Sequence, residues 1–227
     1  MLDNKKVLAL LTARGGSKSL PKKNILTAGG KPLLAWSIEV AQRSKYIDRL
    51  VLSSDDEEII SVAKRYDCET PFIRPKELAT DQASSYSVAI HALNSIEEEF
   101  DILVLLQPTS PLRNELDIDN CIELSSKTGS CVSLVESNKS PYWMYTISED
   151  SMDPILSSKR PILRRQDSPK VYILNGAVYA VDCEWLRKNG SFIGDETVPY
   201  VMPDERSLDI DSEKDLQIFK MIKGQEL

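Results

Sequence analysis

Histidine is nearly absent: His91 is the single one in 227 residues. That excludes metal centres built on histidine clusters. With no nucleophile elbow in the chain, hydrolysis by an activated serine or cysteine has no support either. His91 falls in an apolar-patterned helix beside Ala92, where a structural role is expected. Cysteine is sparse as well. Cys68, Cys121, Cys131 and Cys183 are widely spaced and form no CxxC pair. A zinc site or a disulfide framework is therefore not expected, and reduced thiols suit a cytoplasmic protein. No stretch is long and apolar enough to span a bilayer. The first apolar run gives way to a basic glycine loop rather than a cleavage site, so no membrane role is expected. Internal repeats and low-complexity tracts are also missing.

Acidic residues are missing from one region only. Residues 4–38 contain none, yet hold Lys5, Lys6, Arg14, Lys18, Lys22, Lys23 and Lys31. The chain carries −7 in all, so removing these seven positive charges leaves −14 on the rest. An acidic protein is a poor general binder of nucleic acid. A local basic patch on such a protein suits a small polyanion. The composition, 41% hydrophobic and 28% charged, fits a single globular domain over residues 1–227.

The hydrophobic pattern predicts alternating strands and helices. Residues 6–12 (KVLALLT) read as a buried parallel strand. A helix follows from Pro32 to about Arg43, proline being favoured at a first helical position. Strands are predicted at 49–53, 101–106 and 130–135. Helices are predicted after a cap at Asp55, over 84–100, and over 115–126. This order implies a three-layer α/β fold with a mainly parallel, Rossmann-like sheet. Residues 136–170 break the pattern with four prolines and no long periodic element, and read as an inserted arm. Strand character returns over 171–181, and a closing helix is predicted over 212–223.

Ligands in such folds bind at the carboxyl ends of the strands. Four segments there, or returning there, could carry chemistry. ARGGSKSLPKKN, residues 13–24, places Gly15 and Gly16 with three nearby cations, Arg14, Lys18 and Lys23, after the first strand. Backbone N–H groups and cationic side chains of this kind hold phosphates. It matches neither GxxxxGK[ST] nor GxGxxG, and an ordinary solvated turn would read similarly. In Leu208-Asp209-Ile210-Asp211, residues i and i+2 of an extended chain share a face. Two adjacent carboxylates repel unless a cation lies between them, and hard oxygen ligands beside a triphosphate suggest Mg²⁺. The competing reading is that Asp211 only caps the last helix, alone or with Ser212. LLQPTSPLR, residues 105–113, is a rigid polar loop offering Gln107, Thr109, Ser110 and Arg113. In Asn175-Gly176-Ala177-Val178-Tyr179 the glycine marks either a bulge or the close approach of a ligand.

Together these pieces resemble the N-acylneuraminate (sialic acid) cytidylyltransferase family. The match runs through Ala13–Lys18, Leu20-Pro21, Lys23-Asn24, Arg74-Pro75, Leu78–Asp81, Ala83–Ser85, Leu105–Arg113, Asn175–Tyr179 and Asp209–Asp211. The order is the family's, and the pieces cover nearly the whole chain. The resemblance implies a nucleotide-diphospho-sugar transferase-like fold. It implies transfer of CMP from CTP to a nine-carbon 2-keto-3-deoxy sugar acid, with release of pyrophosphate and with Mg²⁺ as cofactor. It also implies a homodimer in which the 136–170 arm packs on the partner and completes the partner's sugar pocket. Carried over residue by residue, Leu11, Ala13, Arg14, Gly15, Ser17, Lys18, Lys23 and Asn24 hold the nucleotide. Ser84 lies near the cytidine, and Asp209 belongs to both the nucleotide and the metal sites. Gln107, Thr109, Ser110, Arg165, Asn175 and Tyr179 contact the sugar. Asp209 and Asp211 hold Mg²⁺, and Arg14, Lys23 and Asp211 carry the catalysis.

Two departures bear on the sugar. Ser140-Pro141-Tyr142-Trp143-Met144 stands where sialate users often carry a lysine near His-Pro, and Ile173-Leu174 replaces a basic residue before the Asn-Gly motif. Arg164-Arg165-Gln166-Asp167 and Val171-Tyr172 resemble the legionaminate-type branch, whose sugars carry extra acylamino groups and a deoxy terminus. The alternatives are a cytidylyltransferase for the eight-carbon sugar acid of lipopolysaccharide, 3-deoxy-manno-octulosonate, and a non-catalytic nucleotide-binding regulatory subunit.

Overall fold

The first apolar run is buried on both sides, which explains why it is continuous rather than alternating. The protein's structure, a computed structural model, describes residues 2, 4–17, 19–156 and 164–224. β1 (Val7–Thr12) sends Val7, Ala9 and Leu11 into one hydrophobic cluster and Leu8 and Leu10 into another. Next come a small hairpin, β2 (Thr27–Ala28) and β3 (Lys31–Pro32), then α1 (Leu33–Arg43), β4 (Arg49–Ser53), α2 (Glu57–Arg65), α3 (Ser85–Ser95), β5 (Ile102–Leu106) and α4 (Glu115–Thr128). The chain continues through β6 (Ser130–Glu136), β7 (Tyr145–Ser148), β8 (Ser151–Pro154), β9 (Tyr172–Asp182), α5 (Cys183–Asn189), β10 (Val198–Val201) and α6 (Glu213–Ile222).

The main sheet has six strands in the order β10-β6-β9-β5-β1-β4. α1, α2 and α4 cover one face with Leu34, Ile38, Ile59, Val62, Ile118 and Ile122. α3 and α5 cover the other with Ala89, Ala92, Leu93 and Leu186. A third cluster of Leu20, Ala28, Leu33, Ile210, Leu216 and Phe219 seats α6 against the β2–β3 hairpin. β1 pairs in parallel with β4 and β5, as does β6 with β10. β9 runs antiparallel to both β5 and β6, so the sheet is mixed at its centre.

Several boundaries differ from the pattern-based expectation. The helix expected to Phe100 stops at Ser95. Ile96 turns extended, and both Ile96 and Phe100 enter the core, which a helix carrying three consecutive glutamates between them could not arrange. Asp56, not Asp55, caps α2, accepting from the Glu58 and Ile59 N–H groups. Pro32 stands just before α1 rather than inside it. β10 (VPYV) goes beyond the strands predicted; it lies at the sheet edge, where its proline is tolerated. The seven-residue α5 is too short to show a period. Within the arm, β7 and β8 form a hairpin whose every residue is exposed.

Candidate active site

The loop after β1 is held from behind by the chain that follows β4. The Gly15 N–H donates to Asp55 Oδ1 at 3.1 Å. A Cβ on Gly15 would stand 2.6 Å from Asp56 Oδ2, so the glycine is needed for close approach. Gly16 faces open space, and neither glycine has a positive φ. Asn24 is buried and donates to the Arg14 carbonyl at 3.1 Å, closing the loop on itself. Arg14 reaches outward to Asp81 Oδ1 at 2.5 Å. Ala13 is tied by its N–H to the Ser53 carbonyl, and the Ser17 N–H bonds the Gly15 carbonyl. Lys18 lies outside the described residues.

Lys23 links this loop to the acidic segment 188 residues away. Its Nζ donates to Asp211 Oδ1 and to the Ile210 carbonyl, both at 2.9 Å. The lysine side chain is 12% exposed and that of Asp211 73%. Ile210 is fully buried in the α6 cluster, so its neighbours Asp209 and Asp211 turn away from that cluster. The Ile210 N–H also bonds the Thr109 carbonyl at 2.8 Å, fixing the segment against the third loop. Asp209 is half-buried, and its Oδ1 is buried without a hydrogen-bond partner among the described residues. Burial raises its pKa above the usual carboxylate range; the Thr109 hydrogen bond opposes this, Asp211 reinforces it and Lys23 opposes it. Asp211 does not cap α6. Ser212 and Asp215 form a capping box, and Asp215 accepts from the Asp211 N–H. Among the described residues no group of three or more acidic, cysteine or histidine side chains is arranged to hold a metal ion. The candidate cation site is therefore a carboxylate pair, completed by substrate oxygens and water.

The 105–113 loop is pinned by a buried arginine. Arg113 is 2% exposed and donates to the carbonyls of Gln107 (2.8 Å), Ser110 (3.1 Å) and Ala177 (3.1 Å), and to the Ser37 hydroxyl. Burial lowers its pKa to about 9, opposed by the charges of Asp117 and Asp209. Opposite it, the register between β6 and β9 shifts from Val132↔Tyr179 to Leu134↔Leu174, so β9 bulges. Gly176 sits in that bulge at φ 71, and a Cβ there would stand 2.9 Å from Gln107 Oε1 and 3.7 Å from Asp209 Oδ2. The glycine thus serves the bulge and the close approach of the Gln107 side chain.

A cavity of about 370 Å³ lies between these loops, lined by Thr12, Arg14, Arg74, Thr80, Asp81, Ser85 and Gln107 among others. Arg74, to which the sequence motif assigns no role, is part of this cavity's wall. It is buried, donates Nε to Ser53 Oγ at 2.9 Å and also bonds the Ser53 carbonyl. Burial lowers its pKa to about 10; Asp55 opposes this and Arg14 adds to it. Arg74 stands nine residues beyond α2 and directly before Pro75, where its N–H bonds the Ser54 carbonyl.

Some expected contacts change their nature. Leu11 is fully buried in the α1/α2/α4 core, so its side chain cannot reach a nucleotide. The amide of Asn175 is consumed by the bulge: Oδ1 accepts from Ser133 Oγ and the Ala177 N–H, and Nδ2 donates to Ser207 Oγ. Ser110 is buried, with its hydroxyl on the Asn175 carbonyl. Ser84 caps α3 through the Ser87 N–H, while its neighbour Ser85 lines the cavity. Tyr179 is half-buried edge-on to Phe192, and burial raises its pKa with help from Asp209. The side chain of Arg165 lies outside the described residues. His91 packs edge-on to Phe72 within α3, away from these loops.

The family model for cytidylyltransferases matches residues 8–175. The chain belongs to the cytidylyltransferase family. Pseudaminic acid cytidylyltransferase of Campylobacter jejuni subsp. jejuni (strain 81-176) is 35% identical, covering 96% of each chain. N-acylneuraminate cytidylyltransferase of Escherichia coli O18:K1:H7 is 34% identical over 94% of this chain and 51% of its own. CMP-N,N'-diacetyllegionaminic acid synthase of Legionella pneumophila is 33% identical over 91% of each. Among solved structures, CMP:2-keto-3-deoxy-manno-octonic acid synthetase complexed with CTP superposes with a TM-score of 0.74 over 98% of this cytidylyltransferase and all of that chain. Its sequence identity is 16%, so the likeness concerns the nucleotide-diphospho-sugar transferase-like fold. Among the described residues no helix of the cytidylyltransferase is long and apolar enough to cross a membrane.

Proposed function

We propose that this cytidylyltransferase moves CMP from CTP to a nine-carbon 2-keto-3-deoxy sugar acid of the nonulosonic type, with Mg²⁺ as cofactor and pyrophosphate as the second product. The observation that carries the reading is the junction at Lys23, where the basic glycine loop meets the Asp209–Asp211 pair. Candidate phosphate-binding and cation-binding groups meet there, and Arg14 and Gln107 of the same loops line a polar cavity. Relatives at 33–35% identity named for pseudaminic, N-acylneuraminic and legionaminic acids support the acceptor class. The octulosonate and regulatory-subunit alternatives gain no comparable support.

The donor set fits a hard divalent ion: two carboxylates, one with a buried oxygen that has no partner among the described residues. Asp209 and Asp211 would hold Mg²⁺, which supplies polarisation of the α-phosphate and a lower pKa at the attacking hydroxyl. Arg14 and Lys23 stabilise the charge that grows on the departing pyrophosphate. Gln107, beside the Gly176 bulge, and Tyr179, further along β9, orient the sugar so that its C2 hydroxyl faces the α-phosphorus. Asp211, whose side chain is exposed, or a hydroxide that the metal would bring, is read as the acceptor of that hydroxyl's proton.

The acceptor is read as legionaminate-like. Tyr142, Trp143 and Ile173 give the arm and the start of β9 an aromatic and apolar character. A deoxy terminus avoids burying a hydroxyl without a partner. The same region supports a homodimer. Ile147, Met152, Ile155, Tyr172 and Ile173 are exposed along the hairpin and the adjoining strand, more apolar surface than a lone arm needs. Four free, buried cysteines are in keeping with a cytoplasmic setting.

The test is pyrophosphate release with CTP and a panel of sugar acids, with CMP-sugars identified by mass. Legionaminate should exceed N-acetylneuraminate in kcat/KM by roughly 10–100-fold, the discrimination expected of an apolar pocket. Equal values overturn the choice of sugar; no product with any nonulosonic acid overturns the acceptor class.

A further inference from the structure

Two carboxylates on one face of an extended segment need a counter-charge even when no metal is bound. In this protein a side chain supplies it. Lys23 Nζ lies 2.9 Å from Asp211 Oδ1 and 2.9 Å from the Ile210 carbonyl, and its stem is almost wholly covered. The turn presenting it is held firmly. Lys22 adopts a left-handed φ of 54 and is anchored to Glu58 at 2.5 Å, while Asn24 ties the turn to the Arg14 carbonyl. The ammonium is thus a built feature of the acidic segment, and it uses the Asp211 oxygen that a metal would need.

We infer that Lys23 is a place-holding cation that competes with the divalent metal for Asp211, so that metal enters the site well only together with a nucleotide whose phosphates draw the ammonium away. The inference rests on the reading of Asp209 and Asp211 as metal ligands. It goes beyond that reading by setting an order: free metal binds poorly to the empty protein, and the nucleotide–metal complex binds well. Lys23 then has two positions, on Asp211 before substrate and on the triphosphate after it. The chemistry is a simple exchange. The carboxylate gives up one cation and receives another, and the released ammonium meets phosphate oxygens of opposite charge. The arrangement keeps Asp211 aimed while the site is empty, and it disfavours stray divalent ions without CTP.

The test is Mn²⁺ binding to the nucleotide-free full chain, followed by electron paramagnetic resonance, for the wild type, Lys23→Met and Lys23→Gln. Both variants should bind Mn²⁺ more tightly than the wild type, on the order of tenfold, because a repelling charge and a competing ion pair are both gone. The gain should vanish when Asp211→Asn is added. With CTP present the order should reverse, the wild type holding Mn²⁺ more tightly than either variant. Circular dichroism confirms folding, and the glutamine variant serves if methionine does not fold. Unchanged Mn²⁺ affinity in a folded variant, alongside metal-dependent turnover by the wild type, overturns the inference alone. Wild-type turnover that needs no divalent metal removes the reading of the site and the inference with it.

Discussion

Replacing Gly176 with alanine should damage both stability and sugar binding, for separate reasons. Gly176 holds φ 71, a conformation that an L-residue enters at a cost of about 1–2 kcal/mol. The new Cβ would also stand 2.9 Å from Gln107 Oε1, tighter than ordinary packing allows, with Asp209 Oδ2 at 3.7 Å. The amide end of Gln107 can move, so the clash is relieved by displacing the group proposed to orient the sugar. The backbone strain remains. For a chain of this size, about 1–2 kcal/mol lowers Tm by roughly 2–8 °C. Losing a hydrogen bond from Gln107 to the sugar adds about 1 kcal/mol to its binding, roughly a fivefold rise in KM.

The assay pairs thermal denaturation with steady-state pyrophosphate release, varying CTP and the sugar acid separately. Gly16→Ala is the control. A Cβ there meets nothing within 4 Å, and φ is not positive, so alanine should be neutral or slightly stabilising. The reasoning is refuted if Gly176→Ala keeps the wild-type Tm, or if its KM rises for CTP and not for the sugar acid.

Asp211→Asn should lose most of kcat while remaining folded, since the side chain is largely exposed; near-normal turnover removes its metal role. Lys23→Ala should cost about 2–4 kcal/mol of transition-state stabilisation, visible in kcat/KM for CTP, and a loss confined to the sugar KM contradicts it. Arg113→Met strands carbonyls of Gln107, Ser110 and Ala177, and should destabilise by about 2–4 kcal/mol in urea titration, offset in part by removing a buried charge. Asp209 has a folded pKa raised above its unfolded value, so it favours folding below the ordinary carboxylate range and loses that contribution as pH rises through the raised value. Asp209→Asn should therefore raise Tm at neutral pH, with the difference shrinking as pH falls to about 4; a constant difference across that range argues against the burial effect.

The central fold was legible because burial on both faces writes a continuous apolar run, as in VLALLT and ILVLL, and because α1, α2 and α4 carry a helical period. What the pattern could not give was direction. β9 reads like any other buried strand, and its antiparallel course is set by where the chain has to return from the arm. β10 was hidden by its proline and α5 by its length. In the site, the loop after β1 and the Asp209–Asp211 pair stand out because their residue types are unusual for a turn and a strand end. Asn175 misled for the opposite reason. A buried bulge and a ligand site both call for a polar side chain beside glycine, and only the hydrogen bonds to Ser133, Ala177 and Ser207 tell them apart.

Four cations near the cleft divide into two kinds, and the division follows burial. Arg74 and Arg113 are buried, bond mainly to hydroxyls and carbonyls, and have pKa values lowered by burial. Among the described residues neither is matched by a carboxylate in direct contact, so each is expensive to place and useful chiefly for rigidity. Arg74 holds the end of β4, and Arg113 holds the 107–110 loop against the bulge of β9. Arg14 and Lys23 instead end on the carboxylates of Asp81 and Asp211, partners that a polyphosphate can replace. A guanidinium bound to several carbonyls has no better partner to move to, whereas one resting on a partly exposed carboxylate has. The fixed cations therefore set the shape of the cleft, and the exchangeable ones supply the charge that a triphosphate would meet.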